Sequence, residues 1–181
     1  MVALPSMYVL ALDPGYEQTA MVLYDPAHRS VGWAKILPNA EVENELRNGR
    51  HSFPQPTVAC EMIASYGMAV GREVFETCVW IGRFLATWEA RGLTAVRIFR
   101  RDVKTHLCHS ARATDANVRT ALLDAFGPGK EKAVGTKKAP GPLYGLKGDL
   151  WAALAVAVTW AERVPTDTTA ALAANQGRTG G

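Results

Sequence analysis

The chain has 181 residues, 48% hydrophobic and 20% charged, which suffices for one well-buried core and falls short of two. Its three cysteines lie in or beside apolar runs, as reduced core cysteines do, and exclude a disulfide-stapled fold; the longest late apolar stretch, Leu150 to Ala161, falls short of the roughly 18 residues a membrane span needs. A net charge of +3 hides an uneven distribution, because residues 97–138 carry ten basic and four acidic side chains, an excess of +6 that leaves about −3 elsewhere and suits a polyanion such as nucleic acid, the plain alternative being a solvated face.

Residues 7–12, MYVLAL, form a continuous apolar run and predict a central strand. Asp13 leaves that run and meets Pro14-Gly15, so a carboxylate stands at a strand edge. Residues 19–24 and 31–37 follow after short turn signals, and three strands so closely spaced imply an antiparallel meander. A polar stretch, Asn39 to Gly49, predicts a short helix before a fourth strand at Thr57 to Glu61. From Val70 to Arg91 the apolar residues Val70, Val74, Cys78, Ile81, Leu85 and Trp88, with a second row at Phe75 and Val79, predict a long helix with a wide apolar face.

A fifth strand is expected at Ala95 to Phe99, then a short basic helix in RRDVKTHLCHS, then a helix capped by Thr114 or Asp115 and ended by Gly127-Pro128. Residues 127–145, rich in Gly, Pro and Lys, read as a long flexible loop with functional purpose. A last helix is predicted from Lys147 to Arg163, and the tail from Pro165 has too little bulk to pack. The domain is therefore expected to span 1–164, with 165–181 disordered, and the protein to be soluble and cytoplasmic with no membrane contact.

Three acids stand at the rims of apolar elements: Asp13, Glu61 at the end of TVACEM, and Asp149 at the head of DLWAALAVAVTW. Buried anions in proximity repel unless a cation neutralises them, which points to a metal site. Each has a plainer reading as well. Asp13 suits a turn, and Asp149 suits the first turn of a helix. Glu61, flanked by Cys60 and Met62, has a weak surface alternative. His106 and His109 around Cys108 lack the second ligand pair that structural zinc needs.

The order of these parts, carried by LALDPGYEQTA, VACEMIASYGM, RRDVKTHL and KGDLWAALAVAVT, resembles the ribonuclease H-like nucleases, and within them the RuvC-type Holliday junction resolvases, phage-encoded ones in particular. The resemblance runs from about Tyr8 to Glu162 and implies an α/β fold with a five-stranded mixed sheet flanked by helices. It also implies a homodimeric endonuclease dependent on Mg2+, with Mn2+ able to substitute, acting on branched DNA such as a four-way junction. By the same resemblance Asp13, Glu61 and Asp149 are catalytic metal ligands in a two-metal phosphodiester hydrolysis, Asp13 bridging both ions. The family's usual second acid on the last helix is Ala152 here; Asp115 is the nearest substitute by sequence, with helix capping its other reading. Lys147 is the expected neutraliser of the scissile phosphate. Arg100, Arg101, Lys104, Arg112, Lys130, Lys132, Lys137 and Lys138 are the expected DNA contacts. A non-catalytic junction-binding protein and a nuclease acting on RNA or DNA-RNA hybrids stay open as alternatives.

Overall fold

β1 (Val9–Pro14), β2 (Gln18–Asp25) and β3 (Ser30–Pro38) form the expected antiparallel meander. β4 (Thr57–Met62) pairs parallel to β1, and β5 (Ala95–Phe99) parallel to β4, so the mixed sheet runs β3-β2-β1-β4-β5. This computed structural model describes residues 8–49, 51 and 55–176, with side chains described to 163. The parallel pairings need crossovers, which α1 (Asn39–Asn48) and α2 (Arg72–Glu89) supply. Four further helices follow: α3 (Arg100–Cys108), α4 (Asp115–Phe126), α5 (Lys130–Ala133) and α6 (Leu150–Gln176).

Strand parity divides the core into two layers. Val9 and Ala11 face a cluster built on α6, with Leu154, Val158 and Trp160, whereas Leu10 and Leu12 face Val42 and Leu46 of α1 and Ile81, Phe84 and Trp88 of α2. A strand covered on both sides reads as an unbroken apolar run, which is why β1 was legible from its composition. The same parity carries Asp13, two residues after Ala11, and Glu61, two after Ala59, toward the α6 side. Because Ala11 pairs with Ala59 and Leu12 with Cys60 in parallel register, Asp13 and Glu61 come next on adjacent strands.

Three expectations need correction. Asp13 lies inside β1, which continues through Pro14 by pairing with Ala20 and Thr19 of β2. The last helix begins at Leu150 rather than Lys147, since Gly148 and Asp149 form a turn, closed by Leu150 N–H donating to the Lys147 carbonyl at 3.2 Å, and the Asp149 carbonyl accepts a helical bond from Ala153 at 3.1 Å. Residues 127–145 are folded: they contain α5 and a bridge between Gly135 and Pro140, and they bury Ala133 and Leu143 in the α6-side core. Gly141 makes that fold possible, for a Cβ there would collide with the carbonyl oxygens of Lys132 and Ala133. The backbone of α6 extends to Gln176, past the expected start of the tail; the expected disorder of 165–181 falls outside the residues whose side chains are described.

Candidate active site

The β1–β2 turn that follows Asp13 is held from three directions. Gly15 N–H donates to the Gln18 carbonyl at 2.9 Å, closing the turn. Asn39, buried at the start of α1, donates from Nδ2 to the Gly15 carbonyl at 2.9 Å and accepts from the Thr19 hydroxyl at 2.7 Å. Fixing both partners of a buried polar network removes freedom from the strand end that carries Asp13.

Asp13 and Glu61 then meet Asp149, which the α6 N-terminus presents from above the same sheet edge. All three line one cavity of about 140 Å³, together with Arg100, Val103 and Lys104 of α3, Asp115, Val118 and Arg119 of α4, and Gly148, Trp151, Ala152 and Ala155. Asp13 and Asp149 also border a second, more open cavity of about 400 Å³ along the Pro14–Gln18 turn. Asp13 and Asp149 thus sit where the two cavities meet.

Burial pushes the Asp13 carboxyl up to about 9, helped by its hydrogen bond with Glu61 and by the negative charges of Glu61 and Asp149, while Arg100 pulls the other way. Asp13 therefore holds its proton at neutral pH, hydrogen-bonded to Glu61. Positive charge entering the cleft favours loss of that proton from Asp13. Arg100 supplies part of that charge: its guanidinium reaches Glu61 at 3.4 Å and Asp115 at 2.9 Å. Burial disfavours its charge, but Glu61, Asp115 and Asp13 outweigh burial and hold its pKa above the usual arginine value. Asp115 also pairs with Lys104 at 3.6 Å, and the hydrogen bond from Arg100 keeps its carboxyl below the usual range.

The hard oxygen donors of Asp13, Glu61 and Asp149 are the chemistry that Mg2+ takes. Among the described residues, however, no three His, Cys, Asp or Glu side chains are arranged as a ready coordination set. The cleft has the donors, and the ligand shell is not pre-formed.

Structural comparison gives this arrangement a context. The chain is similar to Thermus thermophilus RuvC, at 18% identity and a TM-score of 0.64, over 90% of this chain and 98% of that one. It is similar also to T. thermophilus RuvC in complex with a Holliday junction substrate, at 18% identity and a TM-score of 0.61, over 84% of this chain and 92% of that one. The chain has the RuvC fold. No family model and no curated protein matches its sequence.

On this RuvC fold, the expected site residues separate into groups. Asp13, Glu61, Asp149, Asp115, Arg100 and Lys104 share the cleft. Ala152 is in its wall and offers no ligand. Thr114, not Asp115, caps α4, through a capping box with Asn117, which leaves the Asp115 carboxylate for Arg100 and Lys104. Lys147 is exposed and does not line either cavity beside the acids, so the phosphate role expected of it has no support in its position. Arg101 lies over the Tyr66 ring at 5.9 Å, and Arg112 borders a separate open cavity of about 500 Å³ between α3 and α4. Lys130, Lys132, Lys137 and Lys138 are exposed on the folded 127–145 segment.

Arg119 was missed. Its signal was present in the spacing, since Asp115, Val118, Arg119 and Leu122 fall on one face of α4 and Val118 and Leu122 are buried. Among the described residues no helix is long and apolar enough to cross a membrane.

Proposed function

We propose that the protein is a structure-selective endodeoxyribonuclease that resolves four-way DNA junctions and related branched DNA by hydrolysing phosphodiester bonds. The observation that carries this reading is the convergence of Asp13, Glu61 and Asp149, from two adjacent strands and a helix N-terminus, on one cleft walled by the basic helix α3. The likeness to the RuvC structures, one of them holding a Holliday junction substrate, supports the choice of substrate.

Asp13, Glu61 and Asp149 would hold Mg2+, or Mn2+ in its place. When bound, the metal supplies a Lewis acid and a water acidic enough to give hydroxide at neutral pH. The chain's own groups do the rest. Asp13 releases its proton as the cleft gains positive charge. Arg100 and Lys104, held ready by Asp115, face incoming phosphate and exchange carboxylate for phosphate partners. Val103, Val118, Trp151 and Ala155 keep the inner wall apolar and limit water. The basic residues outside the cleft, Arg101, Arg112 and the four lysines of 127–145, would track the junction arms.

A homodimer belongs to this proposal. Phe75 and Val79 of α2 are 63% and 58% exposed, on the side of the helix turned away from the sheet, and a symmetric junction calls for two sites related by a two-fold axis. The cytoplasm of a bacterial host and a phage origin are proposed on the sequence motifs alone. The second reading, a junction-binding protein without turnover, is favoured by one observation: Ala152 stands in the cleft wall where the resembled resolvases carry a further acid.

The deciding experiment offers synthetic four-way junction, flap and DNA-RNA hybrid to the protein with and without Mg2+. Symmetric nicking of the junction only when Mg2+ is present is expected. Tight junction binding with no nicking in Mg2+ or Mn2+ would select the second reading, and preferential cleavage of the hybrid would replace the substrate.

A further inference from the structure

The cleft holds three basic side chains, and they are not equivalent. Arg100 is committed to Glu61 and Asp115, and Lys104 to Asp115. Arg119 lines the same cavity and makes no ion pair among the described residues. The helix gives it an orthodox partner, Asp115, four residues earlier. That carboxylate is already taken from across the cleft by α3. Arg119 instead lies against the Trp151 indole, its guanidinium carbon 4.6 Å from the ring centroid.

This placement has a chemical consequence. A guanidinium stacked on an aromatic face uses its π surface and leaves its N–H donors in the plane, free to fork onto two oxygens. Trp151 is only 7% exposed and sits two residues after Asp149 in the first turns of α6, so the platform is fixed by the same helix that presents the acid. Arg119 is thereby a pre-positioned cation with unspent donors at the rim of an acidic cleft. Neutral ligands have little use for such a group, whereas the doubly oxygenated anion of a DNA phosphodiester fits it.

We propose that Arg119, seated on Trp151, binds the phosphate under attack or its immediate neighbour, in the role that the sequence pattern assigned to Lys147. The proposal rests on the nuclease reading of the cleft. Arg119 touches substrate, and Trp151 is a positioning residue that acts through it. Lysine at position 119 keeps the charge and loses the fork, so it restores only part of the function.

The test uses the full-length protein, with Arg119→Gln, Arg119→Lys, Trp151→Phe and Lys147→Gln, and junction DNA whose scissile phosphate is either native or a neutral methylphosphonate. Affinity is measured without divalent metal and single-turnover cleavage with Mg2+. On native DNA, Arg119→Gln is expected to weaken binding or cleavage by roughly 10- to 100-fold, as the loss of one charge-assisted fork does, with Arg119→Lys intermediate and Lys147→Gln close to wild type. On methylphosphonate DNA, the metal-free affinities of Arg119→Gln and wild type should converge. The salt slope of binding should fall by about one for Arg119→Gln. Trp151→Phe should reproduce part of the loss without changing the pH profile. Equal behaviour of Arg119→Gln and wild type on native DNA overturns the proposal while leaving the nuclease reading intact, as does a defect that persists undiminished in metal-free binding to methylphosphonate DNA. A wild-type protein that neither binds nor cuts junction DNA removes both.

Discussion

The two faces of the sheet are covered by helices of different character, and the difference locates the chemistry. On the α6 side the strands end in acids, and the covering helices α3 and α4 bring Arg100, Lys104 and Arg119 to meet them. On the α1–α2 side the strand residues Leu10, Leu12 and Cys60 meet Phe84, Trp88 and Leu46, and charges are confined to the outer surface, where Arg83 pairs with Glu43. Arg91 there closes the layer structurally, lying over Trp88 at 4.7 Å and donating to the Leu46 carbonyl at 2.6 Å and the Gly49 carbonyl at 3.1 Å. One face spends its arginines on a carboxylate, the backbone and aromatics. On the other, Arg119 lies over Trp151 and makes no ion pair among the described residues.

The largest effect that would break this contrast is catalytic. Asp13→Asn on the α6 side should reduce junction cleavage by about 10³-fold or more, the scale seen when a group acting on transition-state charge is removed, while junction binding stays intact or tightens. Nicking at the wild-type rate in a gel assay would remove Asp13 from the chemistry.

Next in size is the open side of α2. Val79→Arg places a charge in what is proposed to be a dimer interface and should raise the dimer dissociation constant by about 100-fold or more, read by sedimentation at micromolar protein. Wild-type protein that remains monomeric with junction DNA present would reassign Phe75 and Val79 to simple surface and take symmetric resolution with them.

The two faces should also carry opposite pH limbs of stability in metal-free protein. Asp13 holds a proton up to about 9 that the unfolded chain releases near 3.8, so its contribution is present at low pH and lost as pH rises through 9. His51 lies between Trp33 and Trp88, with ring centroids 5.8 and 5.6 Å away, and its Nε2–H donates to the Glu45 carbonyl at 3.1 Å. Burial holds its pKa below the usual histidine value, so its contribution is present above pH 6.5 and lost as pH falls through the lowered value. Thermal unfolding from pH 5 to 9 should show Asp13→Asn flattening the alkaline limb and His51→Phe the acid limb; either variant acting on the other limb contradicts the assignment.

The smallest effect belongs to the folded lysine segment. Replacing Lys130, Lys132, Lys137 and Lys138 by alanine should lower the slope of log affinity against log salt by up to about four, with little change in cleavage of bound DNA. An unchanged slope would make these lysines a solvated surface.

The sequence by itself determined the five strand segments, the meander and the candidate acids, because a strand covered on both faces is an unbroken apolar run and a carboxylate that interrupts or ends one is conspicuous. It also placed α4, leaving its cap between Thr114 and Asp115, and the structure assigns the cap to Thr114 through its box with Asn117. It could not show that 127–145 folds, because that depends on Ala133 and Leu143 finding room beneath α6 and on Gly141 allowing two backbones to meet. Nor could it rank the basic residues. Lys147 and Arg119 are both basic residues near an acid in sequence or helical spacing, and only tertiary packing decides that Asp115 is claimed by Arg100 and Lys104, that Lys147 does not line the cleft, and that Arg119 lies on an indole with no ion pair among the described residues. Local pattern sets which charges exist on which element; which of them pair, and which stays free, follows from distances of a few ångströms between elements far apart in the chain.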